Sequence, residues 1–436
     1  MFLNDLFKLI ENGTSAWKEL IAGTTTWVTM VYIVAVNPAM LSNAGMDQGA
    51  LFVATCLAAA FGSLIMGLYA NLPIALAPGM GLNAFFVYSI VKGHGLPWQD
   101  ALGAVFWSGV LFLILSFSPI RKRIVQEIPE SLKSGIAIGI GLFLAVIGLQ
   151  NAGIIKSGGT ATLTQLGNIN ELPVLFTAIG FVATTALYAK GKNWAVIAGI
   201  FLVAVLGWVY DPAVTTPKTF IQFPPSVEPL FGAMNIFALN WDVSFITIVL
   251  SLLFASLFDA SGTLIAVAKK GNLLDSSRKI INIDKALQAD SLGTIFGALI
   301  GTSTNISYIE SNAGIAVGGR TGLTAVFVAG LFFLTLFFSP LVLSLPSYST
   351  APALVFVAIL LISTLQHFRD WDDFSECVPL VITLIMMPLT FSIADGLAAG
   401  YLVYVLVKLF SGRYREVSTV SFGLAVIFIF RFIWLH

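Results

Sequence analysis

Long apolar runs recur along the whole chain and constrain its fold more than any other feature. Each run holds roughly 18 to 25 residues, and a helix of that length can cross the hydrocarbon core of a bilayer, which is about 30 Å thick. Hydrophobic residues make up 57% of the 436 residues and charged residues only 10%, whereas soluble domains carry about 25% charged residues. Because so little polar material cannot cover a water-facing surface, the sequence predicts an all-α polytopic protein surrounded by a lipid bilayer.

Fourteen membrane spans result when the chain is divided at its polar and Gly/Pro/Asn/Asp clusters. The predicted spans cover residues 19–42, 48–70, 74–91, 98–118, 131–150, 172–189, 192–210, 243–267, 285–301, 303–317, 321–344, 351–366, 375–391 and 393–411. One further apolar stretch, 417–434, contains Arg431 and is compatible with either an interfacial helix or a fifteenth span.

The distribution of lysine and arginine supports this count independently. With the N-terminus in the cytoplasm, only Lys92, Lys156 and Lys218 fall outside. Eighteen basic residues fall inside: Lys8, Lys18, Arg121, Lys122, Arg123, Lys133, Lys190, Lys192, Lys269, Lys270, Arg278, Lys279, Lys285, Arg320, Arg369, Lys408, Arg413 and Arg415. Cytoplasmic loops carry an excess of such residues, so we expect a multi-pass protein of the cell (inner) membrane with a cytoplasmic N-terminus.

The first twenty residues lack the basic start, apolar middle and cleavage site of a signal peptide. Phe2, Leu3, Leu6, Phe7 and Ile10 instead recur at helical spacing. This pattern favours a short amphipathic helix on the membrane surface before the first span.

No cofactor or metal site is expected. The three histidines, His94, His367 and His436, lie far apart and show no metal-ligand spacing. The phosphate-binding pattern GxxxxGK followed by Ser or Thr is absent, which disfavours an ATP-driven pump. Nothing in the chain indicates a soluble catalytic domain or a nucleic-acid partner, and we do not expect an enzyme.

The long connection at 211–241 divides the spans into two groups of seven. Because seven is odd, the second group begins on the opposite side of the membrane from the first, which is the arrangement of an inverted repeat. Transporters built from such repeats bind substrate at the repeat interface, near the bilayer midplane. The count thus predicts a secondary transporter with a site between the two halves.

The third and tenth spans occupy corresponding positions in the two halves, and neither is typical of a continuous helix. The third reads NLPIALAPGMGLNAFFVYS, with Pro73, Pro78, Gly79 and Gly81 in its first half, where a helix would lose hydrogen bonds. The tenth reads GTSTNISYIESNAGIAVGG and begins with a run of hydroxyl and amide residues. Each is predicted to be an extended stretch followed by a half-helix; a pair of Gly-rich packing kinks is the alternative.

Four of the carboxylates within the predicted spans are candidates for a functional role: Asp259, Asp290, Glu310 and Asp395. A charged side chain at that depth costs about 2.5–3.5 kcal/mol on insertion scales and marks a functional site by default. Asp290 and Asp395 lie near span ends, where neighbouring hydroxyls and helix N-termini can satisfy them. Asp259 and Glu310 lie deeper, where burial disfavours the charged form, so both are candidates to exchange protons near neutral pH.

The surrounding side chains suit a planar, amide-like ligand. A carboxylate accepts two parallel N–H donors, an asparagine both donates and accepts, and an aromatic ring can stack on a flat one. Most of the 35 phenylalanines are nevertheless expected to face lipid. The candidate substrate-binding residues are Asn83, Phe85, Asp259, Thr263, Glu310 and Ser311, with Phe258 as an alternative stacking ring; the candidate proton-coupling residues are Asp259 and Glu310.

Six stretches of the sequence resemble the AzgA-like purine permeases, a group within the nucleobase–ascorbate transporter superfamily. They are TTTWVTMVYIVAVNPAML, LPIALAPGMGLNAFF, SLKSGIAIGIGLFLAVIGLQNAG, LFDASGTL, GTSTNISYIESNAGIAVGGRTGLTAV and MMPLTFSIADG. The similarity runs from about residue 12 to about residue 415, and several of the motifs are long enough to be specific.

The resemblance implies a fourteen-span, seven-plus-seven inverted repeat with a core domain and a gate domain that move against each other like an elevator. Spans 1–4 and 8–11 would form the core, within residues 1–118 and 242–345; spans 5–7 and 12–14 would form the gate, within 119–211 and 346–411; residues 412–436 would form a hydrophobic tail. Members of this group import purine bases by proton symport, so a purine ligand, proton coupling and a homodimer are implied, while coupling to sodium is not excluded.

The resemblance also assigns roles by motif position. The two carboxylates that bind the base and couple to protons in the superfamily match Asp259 and Glu310, and the asparagine of the third span matches Asn83. Superfamily members often have a histidine one turn after the first carboxylate; Thr263 stands there, so no proton role is carried over to it. The APGMGLNAFF form of the third span is more similar to members that prefer guanine and hypoxanthine, or have a broad range, than to those that prefer adenine.

Three other functions are alternatives to this one. An anion transporter of the sulfate-permease kind would have the same architecture, but a cation would suit its site better than carboxylates do. An intramembrane aspartyl protease also uses two buried acids, but its Tyr-Asp and Gly-x-Gly-Asp pairing is missing. A channel fits buried carboxylates beside broken helices less well than a binding site does.

Overall fold

The computed structural model describes residues 2–118, 127, 129–159, 164–236, 243–271, 273 and 281–434. Five basic residues of the charge count lie outside these ranges: Arg121, Lys122, Arg123, Arg278 and Lys279. The side chains of Lys269, Lys270 and Arg431 are not described either. Within the described ranges the chain is mostly helical, as the sequence predicts.

The first half of the chain alternates long helices with short irregular segments. Its elements are α1 (Phe2–Phe7), α2 (Ala16–Met30), α3 (Ile33–Leu41), α4 (Gln48–Ile65), β1 (Leu76–Pro78), α5 (Met80–Ala84), α6 (Trp98–Phe117), α7 (Glu130–Asn151), β2 (Ile155–Ser157), β3 (Thr164–Leu166), α8 (Leu172–Ala189) and α9 (Ala195–Tyr210). Wider π-helical turns continue α4 to Ala70 and α5 to Gly93.

The second half repeats the alternation of long helices with one broken segment. Its elements are α10 (Val243–Gly271), α11 (Ile283–Ile300), β4 (Asn305–Ser307), α12 (Ser311–Ala316), α13 (Gly322–Thr335), α14 (Ser339–Leu343), α15 (Ala351–Ile362), α16 (Phe374–Thr390), α17 (Ile393–Phe410) and α18 (Thr419–Trp434).

Nine helices in the described part of the chain are long and apolar enough to cross a membrane. They are Ala16–Ala44, Gln48–Ala70, Trp98–Phe117, Glu130–Asn151, Leu172–Ala189, Phe245–Ala268, Gly322–Leu343, Ser347–Gln366 and Ile393–Phe410. Two shorter apolar helices, α9 and α16, coincide with the predicted seventh and thirteenth spans. The ninth predicted span is α11, which carries Asp284, Lys285 and Asp290, and the third and tenth are broken. The fourteen-span inverted repeat stays a prediction.

The two broken spans pair with each other through their extended stretches. The strands β1 and β4 run antiparallel, with Leu76 opposite Ser307, Ala77 opposite Ile306 and Pro78 opposite Asn305. The ladder continues beyond β1, where the backbone N–H of Gly79 donates to the Thr304 carbonyl at 2.9 Å. Because all six strand residues are buried, the pairing satisfies backbone groups that water cannot reach.

Glycine lets the half-helix α5 approach its neighbours closely. A Cβ atom at Gly79 would overlap the side chain of Ile306 in β4, and a Cβ atom at Gly81 would overlap the Cγ2 methyl of Ile140 on α7. The glycines that break the third span thus also allow α5 to fit between the tenth segment and α7.

The long helices pack in two groups. In one, α13 packs against α2 and α4, and α11 packs against α4 and α6, with α10 also against α6. In the other, α7 packs against α15, α16 and α17, and α8 packs against α9 and α15. The residue boundaries given above for a core and a gate domain stay a prediction.

A buried carboxylate joins α2 to α13. Glu19 is fully buried and accepts hydrogen bonds from the backbone N–H groups of Arg320 (3.0 Å), Thr321 (3.3 Å) and Thr324 (3.2 Å). Donors at the start of a helix lack partners within the helix and attract a negative charge. Glu19 therefore caps α13 from a neighbouring span, although it stands at the first residue of a predicted span and was not among the four acids singled out.

The N-terminal helix differs in part from the predicted surface helix. It ends at Phe7, so Ile10 lies beyond it, and Phe7 and Leu9 are buried against Leu323 of α13. Leu3 and Leu6 are exposed. Phe7 thus packs on the protein rather than lying on the membrane surface, because Leu323 offers it a buried apolar partner.

The C-terminal apolar stretch forms a single helix, α18, that packs against α17 and α10. It has 16 residues, or about 24 Å of helix. Leu424, Ala425 and Phe428 are buried, whereas Phe422 and Ile429 are exposed. The interfacial helix and the fifteenth span both stay predictions for this stretch.

Candidate functional site

The region predicted from the broken spans lies where the β1–β4 ladder meets α10. Because the ladder is antiparallel, the half-helices α5 and α12 leave it at opposite ends. The helix α10 packs against α5, β4 and α12. One continuous helix thus borders both broken spans, and that helix carries Asp259.

Glu310 stands directly before α12, and its side chain is partly exposed. The hydroxyl of Tyr32 donates a hydrogen bond to Glu310 Oε1 at 2.6 Å. A bond of this length is typical of a hydroxyl on a carboxylate, and such bonds are stronger than neutral ones. Tyr32 is buried at the break between α2 and α3, so the first span holds the acid of the tenth.

Asp259 lies on α10 close enough to Glu310 for the two charges to interact. Its side chain is partly exposed, like that of Glu310. The hydroxyl of Tyr308 is within electrostatic range of both acids and donates to the Pro78 carbonyl at 2.6 Å. Proton coupling by this pair stays a prediction.

Asn83 lies in the half-helix α5 and is fully buried. Its Oδ1 accepts a hydrogen bond from the hydroxyl of Ser303, which precedes β4. Its Nδ2 has no hydrogen-bond partner among the described residues. A buried amide with an unused N–H group costs free energy unless a ligand or water completes it, so Asn83 has the features of a ligand-binding residue with a donor to offer.

The other candidate residues, like Asn83, are held or covered by protein in this structure. The oxygen of Ser311 accepts a hydrogen bond from the Ala75 backbone N–H at 3.0 Å, which uses it to hold the third segment against the tenth. Phe85 is 1% exposed and Thr263 is 9% exposed, so both are covered by protein. Phe258 stacks on Phe254 with 6.0 Å between ring centres. Roles for these side chains in binding a ligand stay predictions.

The remaining two acids have partners of their own. Asp290 is fully buried and accepts hydrogen bonds from the Ser307 hydroxyl at 2.9 Å and 3.1 Å. This is the satisfied carboxylate that the sequence offered as the alternative to a functional acid. Asp395 lies in the first turn of α17, where its backbone N–H donates to the capping hydroxyl of Ser392 at 3.1 Å.

The sequence assigns no individual role to three side chains of the site: Tyr32, Ser303 and Tyr308. Ser303 belongs to the hydroxyl-rich run that marked the tenth span, so its presence near the site was foreseeable. Tyr32 carries no local signal, because it is one of ten tyrosines and nothing in the sequence indicates that its hydroxyl reaches a residue 278 positions away.

Metal ligands do not cluster in the described residues. No group of three or more His, Cys, Asp or Glu side chains there is placed to hold a metal ion. The chemistry available at this site is that of carboxylates, hydroxyls and an amide.

Comparison with known proteins places these features in a family context. The profile of the permease family, Xan_ur_permease, matches residues 17–399. A putative permease of Methanocaldococcus jannaschii is 47% identical over 100% of this chain and 99% of its own length. The adenine permease AdeP of Escherichia coli is 43% identical over 99% of this chain and 96% of its own length. The guanine/hypoxanthine permease PbuG of Bacillus subtilis is 42% identical over 99% and 100%.

Solved structures of low sequence identity share the fold. The transmembrane domain of the cyanobacterial bicarbonate transporter BicA superimposes with a TM-score of 0.63 at 15% identity, covering 88% of this chain and 97% of that one. The murine anion transporter Slc26a9 in its inward-facing state also gives 0.63, at 11% identity over 90% and 68%. At such identities the similarity concerns the arrangement of the helices alone.

Proposed function

The chain belongs to the permease family, and we propose that within this family it imports purine nucleobases by proton symport. Membership makes it a multi-pass membrane transporter and not an enzyme, and the named relatives confirm the resemblance to purine permeases seen in its motifs. The purine substrate and the coupling ion are the proposal.

The observation that supports this proposal most is the pairing of the two broken spans beside α10. It places α5, which carries Asn83, and α12, which begins directly after Glu310, at opposite ends of one buried ladder, beside the helix α10 that carries Asp259. Irregular backbone at membrane depth is tolerated where it lines a site or is buried in protein, and discontinuous spans of transporters bind substrate in this way.

The donors and acceptors of the site match a 6-oxopurine. Ser303 occupies Asn83 Oδ1, so the amide presents its N–H groups, which pair with an acceptor such as the 6-oxo oxygen of hypoxanthine or guanine. The carboxylate of Glu310 accepts ring N–H groups. Adenine carries an amino donor at the same position, so this orientation of Asn83 favours hypoxanthine and guanine, with adenine as a weaker substrate.

Proton coupling is assigned to Asp259 and Glu310. A base that binds between the two acids would change the balance of charge there, which would link its binding to the uptake of a proton. Tyr32 holds Glu310 when no ligand is bound and releases it when a base competes for the same oxygen. A sodium ion in place of the proton is the alternative for the coupling ion.

Elevator-like movement is proposed for the transport step. The group of helices around α13 and α11 would slide as the core against the group around α7, the gate. Their contact includes Gly81 of α5 against Ile140 of α7. Because glycine has no side chain, nothing on α5 obstructs sliding at this point. We further propose a homodimer in the inner membrane with a cytoplasmic N-terminus.

An anion transporter is the second candidate, because the fold is shared with BicA and Slc26a9. Two carboxylates at the site disfavour it, since an anion would meet negative charge there. The distinction therefore depends on the site rather than on the fold.

A proteoliposome uptake panel tests the proposal. Labelled hypoxanthine, guanine, adenine, xanthine and uracil are offered with an inward proton gradient, with a sodium gradient, and with neither; labelled bicarbonate and sulfate are offered in parallel. We expect accumulation of hypoxanthine and guanine that requires the proton gradient. Accumulation driven by sodium alone would reassign the coupling ion, and uptake of bicarbonate or sulfate without any nucleobase would overturn the proposed substrate.

A further inference from the structure

A groove of about 500 Å³ opens on the molecular surface between α2 and the loop that joins α8 to α9. Its floor is a single face of α2, formed by Trp17, Leu20, Ile21, Thr24, Thr25 and Val28. The opposite face of α2 is buried, with Glu19 and Gly23 against α13. The groove is therefore a surface of the membrane-embedded helix that the fold leaves uncovered.

The floor of the groove is apolar. Thr24 and Thr25 donate their hydroxyls to backbone carbonyls of their own helix at 2.9 Å and 2.8 Å, so neither hydroxyl needs a partner in the groove. From Trp17 to Val28 the helix rises about 16 Å, close to the depth of one leaflet of hydrocarbon. An acyl chain matches this floor in both length and polarity.

The rim of the groove is a set of hydrogen-bond donors. Lys192 and Asn193 lie on the loop, and Trp17 and Trp194, whose indoles carry N–H donors, line the groove with them. Trp17 is 69% exposed and Trp194 is 46% exposed. No Asp or Glu lines the groove, and Lys192 makes no ion pair with any described residue. Tryptophan and lysine together are typical of the level of lipid headgroups.

We propose that this groove is a binding site for an anionic phospholipid, with the phosphate on Lys192, Asn193 and the two indoles and one acyl chain along α2. Charge complementarity selects the occupant: a positive rim of donors above an apolar floor fits an anionic headgroup with its tail. Juxtamembrane basic residues attract anionic lipid in the same way. The groove lies between α2 and the loop preceding α9, elements of the two packing groups, and the bound lipid bridges them.

Quenching of tryptophan fluorescence by brominated lipid tests the site on the full-length protein in phosphatidylcholine vesicles. Increasing fractions of phosphatidylglycerol with dibrominated chains are compared with dibrominated phosphatidylcholine. The chain has nine tryptophans, so the signal of the groove is the difference between the wild type and the Trp17→Phe/Trp194→Phe variant. We expect this difference signal to saturate at a low fraction of the anionic lipid and to follow the bulk fraction for phosphatidylcholine.

Two lysine variants separate a specific site from the ordinary lipid boundary. Lys192→Gln is expected to require about fivefold more anionic lipid for half-quenching, the loss expected for one basic residue at a membrane surface. Lys190→Gln, two residues away and outside the groove lining, is the matched control and should leave the curve unchanged.

Three results would overturn the proposal. Equal quenching by both lipids in the wild type would show ordinary boundary lipid, and equal shifts in the two lysine variants would show a diffuse charge effect. Quenching by neither lipid would show that a second copy of the chain or another protein covers the groove. Because lipid binding is measured without transport, these results are independent of the proposed purine substrate.

Discussion

The hydroxyl of Tyr32, at the break in the first span, donates a 2.6 Å hydrogen bond to Oε1 of Glu310, at the start of the tenth segment's half-helix. The contact joins a helix discontinuity to an acid of the candidate site. Because the bond engages one carboxylate oxygen, it positions the acid and also competes with any ligand that needs the same oxygen.

Tyr32→Phe removes this bond while keeping the ring. Hydrogen bonds to charged groups contribute about 1.5–3 kcal/mol, so we expect the initial rate of nucleobase uptake to fall by about ten- to a hundredfold, with little change in the amount of folded protein. Tyr348→Phe is the matched control, since it removes a 2.9 Å tyrosine–carboxylate bond to Asp211 far along the chain. Equal uptake by the Tyr32 variant and the wild type would contradict a role for this bond in transport.

Glu310→Gln is expected to abolish both uptake and exchange, since the amide cannot carry a proton and presents a donor where the base presents one.

Asp259→Asn is expected to retain exchange of labelled for unlabelled hypoxanthine but to lose accumulation against a gradient. The two assays, run side by side in proteoliposomes, separate binding from coupling. Wild-type accumulation in the Glu310 variant would disprove the assignment, and Glu130→Gln, on an exposed acid paired with Lys133, controls for loss of charge alone.

Ser303→Ala frees Asn83 to turn its amide. In the wild type the serine hydroxyl bonds to Oδ1, and the unused group of Asn83 is its Nδ2 donor; without the serine hydroxyl the amide oxygen is free to accept from the amino group of adenine. We expect the ratio of adenine to hypoxanthine uptake to rise about five- to tenfold, the equivalent of one hydrogen bond of about 1 kcal/mol. Competition of each unlabelled base against labelled hypoxanthine measures the ratio.

Ser307→Ala is the control for this change, because its hydroxyl serves Asp290 in the same segment. It should alter stability without altering the adenine-to-hypoxanthine ratio. A similar ratio in both serine variants would mean that the segment, and not the orientation of Asn83, sets the preference.

An ion cluster beyond the ends of α16 and α17 predicts a loss of stability in acid. Hydrogen bonds from Ser375 and then Arg413 lower the pKa of Asp373 to about 2, and bonds from Arg413 and then Lys408 lower the pKa of Glu416 to about 2. Since both values are depressed in the folded state, the stabilisation is complete above the ordinary carboxyl values, near pH 4, and is lost as the pH falls toward 2.

Thermal unfolding of the purified protein between pH 6 and pH 2 measures this loss. Arg413→Gln removes the partner that both acids share, through bonds of 2.6 Å to Asp373 and 2.7 Å to Glu416, so the variant should start from a lower melting temperature and depend less on pH in this window. The same acid-dependent fall in variant and wild type would show that other carboxylates determine it.

The broken spans show how much of the local structure the sequence predicts. Pro73, Pro78 and the neighbouring glycines forbid a continuous third helix, and the structure has an extended strand and a half-helix there. That this strand pairs with the strand at Asn305 could not be foreseen, because hydrogen bonding between backbones leaves no side-chain pattern in three residues. The pairing depends on how the intervening helices pack.

The roles of the buried carboxylates also could be predicted only in part from the sequence. Depth in the membrane identified four carboxylates, but only contacts separate Asp290, held by Ser307, from Glu310, held by a tyrosine of another span. Glu19 was passed over because it stands at the edge of a predicted span, yet it is fully buried. Hydropathy predicts how deep a residue lies within one span. It does not indicate which side chain of another span donates a hydrogen bond to it.

The contact between Gly81 and Ile140 gives a test of the proposed movement. A methyl group on residue 81 would overlap the Cγ2 atom of Ile140, and overpacking of this kind costs about 1–3 kcal/mol. Gly81→Ala is therefore expected to reduce uptake at least tenfold, since the side chain would obstruct α5 as it slides past α7. Gly330→Ala, at a glycine with open space around it, is the matched control.

Ile140→Ala removes the methyl group that a side chain at residue 81 would overlap. If that overlap blocks sliding, the double variant Gly81→Ala/Ile140→Ala should regain most of the uptake. If the double variant folds normally but stays inactive, Gly81 is needed for the conformation of the half-helix rather than for movement against α7.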